Sequence, residues 1–444
     1  MPFIPHTEAD LKDMLAAIGA ESLDALFADI PSGLRAQGIP MAEGLDEDAV
    51  CRSVEELASR NAGGKAVSFL GAGFYDRFIP KAVDALAARG EFLTAYTPYQ
   101  PEVSQGTLQA IFEYQTAMCR LMQMDCANAS VYDGGSALFE AVMMSVRAAK
   151  RRKIVIDEAI NPIWRSQIAT YTANQQLDIV TVPHKNGMSD KDALMGSLDK
   201  TTACVVVQNP NWFGAIDDFS GLFAKAKDCG CLSVISVEPV MQSILKTPGE
   251  MGADIAVAEG QGLGMPLSFG GPYLGIMTCS QKLVRQMPGR IVGRTHDADG
   301  KTGYVLTLQA REQHIRRSKA TSNICSNQAL CALRALIHVA LLGPEGLARS
   351  AELGMNAMRA LAAELEVIPG VSRLNDAPFG SEAAFVLPCG AAGVIGKMTA
   401  QGVIPGADAG TFYKGMDNVL LVSCTEKTAP EHMRLFADLL RGAL

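Results

Sequence analysis

The feature that most constrains the fold is a regular alternation of short β-branched runs and amphipathic stretches between Lys153 and Val257. The predicted strands are Ile154–Ile156, Ile179–Val182, Ala203–Val207, Leu232–Val237 and Ile255–Val257, and the predicted helices between them are Asn161–Tyr171, Lys191–Leu198 and Ser220–Asp228. Buried strands that alternate with helices are typical of a parallel sheet covered on both faces. The sequence therefore predicts a doubly wound α/β domain, in which functional residues follow the carboxyl ends of the strands.

The patterns on either side of this domain divide the chain into three predicted parts. Residues 1–60 are predicted to be a helical segment, because apolar residues recur at helical spacing in Asp10–Ile18 and Val54–Leu57. Residues 61–310 are predicted to form the large α/β domain, and residues 311–444 a smaller α+β domain. The elements predicted in the smaller domain are helices at Ser326–Leu342 and Leu347–Glu366 and strands at Ala383–Leu387 and Asn418–Ser423. The stretch Met287–Gly303, which contains Pro and Gly, is predicted to be the connecting loop.

The composition argues against several classes of protein. A formal net charge of −8 over 444 residues disfavours nucleic-acid binding, which needs a basic face. A bilayer span takes about 20 apolar residues. The apolar run Leu330–Leu342 is shorter and contains Arg334 and His338, so no membrane span is predicted. The N-terminus shows no signal-peptide or transit-peptide pattern, and the expected location is the cytoplasm.

The cysteines are predicted to be reduced thiols rather than a disulfide framework. The chain has 11 of them and no secretion signal. Cys229 and Cys231 form the one close pair, and no second pair of Cys or His stands at the spacing that a zinc site needs. No metal site is therefore predicted.

Polar residues follow two of the predicted strands. Asn209 and Asn211 lie just after Ala203–Val207, and Glu238 follows Leu232–Val237. A doubly wound enzyme places its site at such positions. The alternative is that these residues only close the loops, and the pattern alone does not decide between the two.

Two glycine-containing segments raise the question of phosphate binding. Gly134, Gly135 and Ser136 precede a predicted helix, so their N–H groups can form an anion cup, although an N-cap at Asp133 with a tight turn is the favoured interpretation. The run Glu259–Gly264 has the wrong spacing for a dinucleotide loop, and Pro266 interrupts the helix that must follow.

Two further segments are unusual in composition. Tyr96–Pro101 is rigid, aromatic and polar, which is consistent with a pocket wall or, equally, with a loop packed on the domain surface or on a partner. The charge-dense run Arg311–Lys319 is typical of a solvated helix face. No motif of a serine hydrolase, a metalloprotease or a P-loop protein is present.

Long motifs along most of the chain resemble one family. They are Ser68–Gly73 with Tyr75–Asp76, Tyr96–Gly106, Gly270–Pro272, Pro288–Gly293, Arg311–Arg317 and Lys319–Cys325. In this order they resemble glycine decarboxylase, the P-protein of the glycine cleavage system, in its subunit 1 form. The resemblance implies the fold of a type I pyridoxal-phosphate-dependent transferase, which agrees with the predicted parallel sheet.

The resemblance also implies that the chain lacks the catalytic lysine. Active members hold the cofactor on a lysine shortly after the strand that is Ile255–Val257 here. Gln261 and Gly262 occupy that place, and no lysine lies between Lys246 and Lys282. Glu238 stands where active members have the aspartate that pairs with the pyridine nitrogen. We therefore expect no covalently bound cofactor in this chain and no catalysis by it alone.

In the family, this pattern corresponds to a division of labour between two subunits. Subunit 2 carries the lysine and pyridoxal phosphate, and the complex decarboxylates glycine and passes the aminomethyl group to the lipoyl arm of the H-protein. The expected assembly is an αβ dimer or an α2β2 heterotetramer. Two alternatives are a complete enzyme that uses Lys246 or Lys282, both of which are misplaced, and a scaffold or regulatory subunit that does not shape the site.

The resemblance finally suggests which residues support the partner's active site. The candidates are Tyr96, Thr97, Pro98, Tyr99 and Gln100 in one loop and Thr321, Ser322 and Asn323 in a second. Gly134, Gly135 and Ser136 are candidates for a vestigial phosphate loop.

Overall fold

The computed structural model describes residues 5–36, 38, 41–94 and 97–444. The chain divides into two compact units, Met1–Gly64 and Lys65–Leu444. In the first unit, helices α1 (Glu8–Ile18) and α2 (Glu47–Ser59) begin at the capping residues Thr7 and Asp46. Helices are thus confirmed at both predicted places, and neither contains a buried residue.

The second unit contains the remaining helices and the strands of the chain as described. The helices are α3 (Lys81–Ala87), α4 (Gly90–Leu93), α5 (Gln105–Met122), α6 (Gly134–Ala149), α7 (Pro162–Thr172), α8 (Lys191–Gly196), α9 (Ser220–Cys229), α10 (Pro248–Met251), α11 (Gln313–Arg316), α12 (Ala329–Glu366), α13 (Ala391–Thr399) and α14 (Pro430–Ala443). The strands are β1 (Val67–Ser68), β2 (Cys126–Ala127), β3 (Lys153–Asp157), β4 (Asp178–Val182), β5 (Thr202–Asn209), β6 (Leu232–Val237), β7 (Ile255–Glu259), β8 (Gly275–Cys279), β9 (Ile291–His296), β10 (Thr302–Thr307), β11 (Ser372–Arg373), β12 (Glu382–Val386), β13 (Val403–Ile404), β14 (Ala407–Asp408) and β15 (Val419–Ser423).

A central sheet with the strand order β2-β8-β7-β6-β5-β3-β4 carries the fold. Strands β3 to β7 run parallel, as predicted. Every residue of β7 is buried, which explains why its first four residues read as a continuous apolar run. The sequence did not predict β8, which pairs antiparallel with β7, or the short β2 beside it.

The C-terminal region confirms the predicted α+β pattern. Its antiparallel sheet has the strand order β11-β12-β15-β14. Strand β1, from the start of the unit, pairs in parallel with β13. The N-terminal end of the unit is therefore joined to the C-terminal region.

The prediction that Met287–Gly303 is a loop is wrong for most of this stretch. Strands β9 and β10 pair antiparallel from Ile291 with Thr307 to His296 with Thr302, so this stretch forms one strand of a hairpin and its turn. Most of the predicted connecting loop therefore belongs to a β-hairpin.

Helix α12 is long and apolar enough, by length and composition alone, to span a membrane. It is interrupted at Gly343, where the φ of 63° is not helical, and Pro344 follows. Ala335 before the break and Leu347 after it are both buried. Both belong to the core that covers the central sheet. The packing is that of a core helix of the second unit.

Candidate functional site

The carboxyl ends of the parallel strands surround a cavity of about 20 Å³. Its walls include Glu238 after β6, Glu259 at the end of β7, and Glu382 at the start of β12. A volume of this size holds about one water molecule. We call the residues Arg77, Glu238, Glu259, Gln261 and Gly262 the pseudo-site.

A buried arginine fills much of the pseudo-site. The guanidinium of Arg77 donates to Glu238 at 3.2 Å and to Glu426 at 3.0 Å, and its side chain is 2% exposed. Glu238 also accepts the Met241 N–H at 2.6 Å, and Glu426 accepts the Phe78 N–H at 2.7 Å. Arg77 therefore ties the end of the central sheet to the segment that follows β15.

Gln261 and Gly262, the two residues at the expected place of the lysine, are both enclosed by contacts with neighbouring residues. The amide of Gln261 accepts from the Tyr75 N–H at 2.8 Å and donates to the Tyr75 and Met265 carbonyls at 3.0 and 2.8 Å. At Gly262, a Cβ atom would lie 3.2 Å from Arg77 Cδ and 3.3 Å from its Nε. Any side chain at this position therefore requires Arg77 to shift by a few tenths of an ångström.

A third group, the Glu259 carboxyl, lies at the N-terminus of α6. Its two oxygens accept N–H groups of Gly134 at 2.8 Å, Gln261 at 2.9 Å and Leu274 at 3.2 Å. Burial raises the pKa of Glu259 to about 8, while the three hydrogen bonds oppose the rise.

The third carboxyl in the cavity wall, Glu382, is also buried. It accepts the Ala72 N–H at 2.6 Å and the Tyr75 hydroxyl at 2.9 Å. Burial raises the pKa of Glu382 to about 7. The cavity thus has an acidic wall, and Arg77 forms an ion pair with one of its carboxyl groups, Glu238.

The predicted vestigial phosphate loop is a capped helix start. Asp133 accepts the Ser136 N–H at 2.7 Å, so the N-cap interpretation is confirmed. The Ser136 hydroxyl accepts from Gln167 at 3.3 Å. Gly134 donates to Glu259, as described above, and Gly135 packs against Trp164 and Gln167.

Pyridoxal phosphate does not fit the pseudo-site. The cavity has room for about one water, no lysine stands at its wall, and Arg77 holds Glu238 by an ion pair. We therefore derive no chemical step through this cofactor in the chain.

Asn209 and Asn211 serve the loop after β5. Asn209 Oδ1 accepts the Asp217 N–H at 3.0 Å. Asn211 Oδ1 accepts the Phe213 and Ala215 N–H groups at 3.0 and 3.1 Å. Of the three strand-end residues from the sequence, only Glu238 lies in the pseudo-site.

The predicted aromatic loop forms a different, open surface. Tyr99 donates its hydroxyl to Asn327 Oδ1 at 2.7 Å, and the Arg290 guanidinium lies 4.2 Å from the centre of the Tyr99 ring. Arg290 also donates to the Cys325 carbonyl at 2.8 Å. We call Tyr99, Gln100, Arg290, Cys325 and Asn327 the Tyr99 surface.

Two open cavities meet at Tyr99. One, of about 460 Å³, is lined by Gln100, Arg290 and Cys325 among others. The other, of about 320 Å³, is lined by Pro98, Asn327 and several apolar residues. This surface has room for groups of another molecule, whereas the pseudo-site has none.

The hydrogen bonds of the second predicted loop, Thr321–Asn323, go to other parts of the chain. Ser322 donates to Glu140 at 2.6 Å, and Thr321 donates its N–H to the Arg311 carbonyl at 3.0 Å. Asn323 is exposed. Thr97 is also exposed, Pro98 is buried, and Tyr96 lies outside the described residues. A role for these residues in catalysis stays a prediction.

The described part of the chain offers no group of three or more His, Cys, Asp or Glu residues that could hold a metal ion. All 11 cysteines are free thiols, in agreement with the sequence.

The fold and the site define an enzyme-like protein of the type I pyridoxal-phosphate fold whose own site is closed. Glutamate decarboxylase of Lactobacillus brevis CGMCC 1306 shares this fold, with a TM-score of 0.67 and 13% identity over 92% of this chain and 94% of that one.

The particular family follows from closer relatives. The chain belongs to the glycine cleavage system P-protein family, whose model matches residues 1–440. It is 65% identical over 444 residues, 100% of both chains, to a protein of Nitratidesulfovibrio vulgaris (Hildenborough) named "Probable glycine dehydrogenase (decarboxylating) subunit 1". A crystal structure of glycine decarboxylase (P-protein) of the glycine cleavage system, in inhibitor-bound form, has a TM-score of 0.89 and 39% identity and covers 100% of both chains.

Sequence reasoning assigned no role to Arg77, Glu259 or Glu382. Arg290 and Asn327 were also missed, although Arg290 lies within the motif Pro288–Gly293. The position of Arg290 inside this glycine-containing motif was the signal that could have identified it.

Proposed function

We propose that the chain is the cofactor-free subunit of a two-subunit glycine decarboxylase in the glycine cleavage system. One observation carries the proposal: a chain that matches the P-protein family over residues 1–440 has Gln261 and Gly262 where the lysine is expected, and both are enclosed by contacts with Tyr75, Met265 and Arg77. The cofactor lysine then belongs to a homologous subunit 2. The complex decarboxylates glycine and transfers the aminomethyl group to the lipoyl arm of the H-protein.

The assembly we propose is an αβ dimer that can double to α2β2. Type I folds usually build their sites at a subunit interface, and one closed half-site is tolerable when the partner supplies the other. The free cysteines support a reducing compartment, and the proposal includes a cytoplasmic location.

The Tyr99 surface is the part of this chain that we propose to support the partner's active site. Its aromatic ring is held by a cation and by a hydrogen bond to Asn327, so its geometry is fixed before any partner binds. Its cavities are open, and the exposed Asn323 lies four positions before Asn327.

Co-expression with the homologous subunit 2 tests the proposal. Borohydride reduction, which fixes the cofactor to the lysine that holds it, should label subunit 2 and leave this chain unlabelled. Exchange of the glycine carboxyl group with labelled bicarbonate, in the presence of lipoylated H-protein, should require both chains. A pyridoxyl group on a stoichiometric fraction of this chain, or a chain that stays monomeric with subunit 2 at micromolar concentration, would contradict the proposal.

A further inference from the structure

We infer that Ser130 is a positioning residue that holds the Tyr99 surface in the geometry in which it supports the partner's active site. This role rests on the proposed function, because it concerns the surface that is proposed to face the partner. Ser130 lies between β2 and α6 and is 0% exposed. A side chain so buried cannot contact another molecule, so it acts through the residues that it holds.

The backbone of Ser130 has a conformation that favours glycine, with a φ of 114°. Among the described non-glycine residues with a positive φ, Ser130 is the one that is buried. A side chain is unfavourable in this region of φ, and it persists only where its surroundings hold it, often at a functional site. The presence of serine here, in place of glycine, indicates that its hydroxyl group is needed.

The Ser130 hydroxyl holds the segment just before α12. Its oxygen accepts Nδ2 of Asn327 at 3.2 Å and the N–H of Gln328 at 3.2 Å. Asn327 Nδ2 also donates to the Ala129 carbonyl at 2.8 Å. With its nitrogen held in this way, the Asn327 amide turns Oδ1 toward Tyr99, whose hydroxyl donates to it at 2.7 Å.

The residue before Ser130 holds the other side of the Tyr99 ring. The Ala129 N–H donates to the Arg290 carbonyl at 2.8 Å, and the Arg290 guanidinium lies 4.2 Å from the centre of the Tyr99 ring. Asn327 and Arg290 thus both contact Tyr99, and residues 129–130 bond to both of them. Loss of the Ser130 hydroxyl should weaken the hold on Asn327 and leave that on Arg290 intact.

Two substitutions separate positioning from stability. Ser130→Ala and Ser130→Gly both remove the acceptor for Asn327 and Gln328. Only Ser130→Gly relieves the strained backbone, so it should melt at a higher temperature than Ser130→Ala. Both should lower kcat of the complex for glycine decarboxylation to a similar extent, by about tenfold to a hundredfold. Assembly and the cofactor content of subunit 2 should stay unchanged.

Ser145 offers the matched control, because it is also a serine that is 0% exposed. It lies inside α6, where its hydroxyl donates to the Ala141 carbonyl at 2.8 Å. The order of melting temperatures should be reversed here, with Ser145→Ala above Ser145→Gly, since alanine is favoured over glycine inside a helix. Neither Ser145 variant should change kcat of the complex.

Hydrogen exchange in the free chain measures the same contacts without the partner. The Gln328 N–H should exchange faster in both Ser130 variants than in the wild type, because its acceptor is gone. An unchanged rate would overturn the inference. A wild-type complex that shows no turnover would contradict the proposed function, and exchange at Gln328 would then decide whether Ser130 holds this segment.

Turnover decides the rest when the wild-type complex is active. Full kcat in both Ser130 variants would overturn the inference. A kcat that follows the melting temperature, and is therefore higher in Ser130→Gly than in Ser130→Ala, would also overturn it, because the role of Ser130 would then be one of stability alone. If Ser130→Ala does not fold, recovery of the wild-type kcat by Ser130→Gly would count against the inference in the same way.

Discussion

The pseudo-site and the Tyr99 surface are both rich in polar side chains, but they differ in where those groups direct their hydrogen bonds. In the pseudo-site, Arg77, Glu259 and Gln261 bond to groups of the same chain around a cavity of about 20 Å³. At the Tyr99 surface, the internal bonds only fix the aromatic ring, and the adjoining cavities measure about 320 and 460 Å³.

The difference indicates where this chain can still take part in chemistry. A closed polar network excludes ligands and stabilises one conformation, whereas a fixed ring beside open space can contact another molecule. The pseudo-site is filled by contacts within the chain, and the Tyr99 surface is the one of the two that leaves room for another molecule.

The largest effect should come from removing the cation of the pseudo-site. Arg77→Met leaves Glu238 and Glu426, whose side chains are each 10% exposed, without their partner. Loss of one partner of a buried ion pair typically costs about 3–5 kcal/mol. Denaturant unfolding of the chain should show a drop in the free energy of unfolding of this order.

The matched control for Arg77→Met is Lys427→Met. Lys427 pairs with Asp76 next to Arg77 in the sequence, but these side chains are 44% and 52% exposed. Exposed pairs contribute roughly 0–1 kcal/mol. Equal losses in the two variants would show that the pseudo-site is no more tightly built than the surface.

A smaller effect, on activity rather than stability, is expected at the open region. Asn323→Ala should lower glycine decarboxylation by the complex, on the order of a hundredfold if Asn323 positions a reacting group. Assembly and the cofactor content of subunit 2 should stay unchanged, because the exposed Asn323 side chain makes no hydrogen bond to the described residues. Tyr96→Ala is predicted to act in the same direction.

Asn174→Ala is the control for Asn323→Ala, since Asn174 is also exposed but follows α7. Unaltered turnover in the Asn323 and Tyr96 variants would assign these residues to packing and would favour a scaffold role for the chain.

The next effect concerns the pH dependence of stability. Burial raises the pKa of Glu382 from 4.5 to about 7, so the folded chain binds more protons than the unfolded chain between these values. The contribution of Glu382 to stability is therefore fully present below pH about 4.5 and is lost as the pH rises through 7.

Glu382→Gln should flatten this pH dependence at little cost at low pH, because an amide can accept the Ala72 N–H and donate to the Tyr75 hydroxyl. Urea unfolding between pH 5 and 8 measures the slope. A wild-type slope that the glutamine variant retains in full would assign the pH dependence to other groups.

The smallest expected effect is on the reactivity of a thiol. Cys325 at the Tyr99 surface is exposed, as is Cys51 in the first unit. If subunit 2 covers the Tyr99 surface, a thiol reagent should label Cys325 more slowly in the complex than in the free chain. Cys325→Ser identifies its share of the label, and an unchanged rate in the complex would place the partner elsewhere.

The sequence predicted the elements whose apolar residues form a local pattern that indicates burial. Strands β3 to β7 were found because apolar β-branched residues are needed on both faces of a covered sheet. The hairpin of β9 and β10 was missed because its exposed residues, such as Arg294 and His296, carry no alternating apolar pattern. Its pairing depends on a partner strand rather than on local composition.

The contacts of the pseudo-site could not be predicted from local patterns. Arg77 meets Glu238 and Glu426 across 161 and 349 positions of the chain. A motif of neighbouring residues carries no information on which distant charges fold against each other. The absence of a lysine at Gln261 and Gly262 was visible in the sequence, but the contact of Arg77 with Gly262 was not.

The contact between Gly262 and Arg77 limits which substitutions this position accepts. A single mutation that restored lysine at Gly262 would drive the new side chain against Arg77 Cδ and Nε, which lie within 3.3 Å of the position of its Cβ. Arg77 would have to shift while it still pairs with Glu238 and Glu426. A lysine at Gly262 would therefore be accommodated best together with a smaller side chain at position 77.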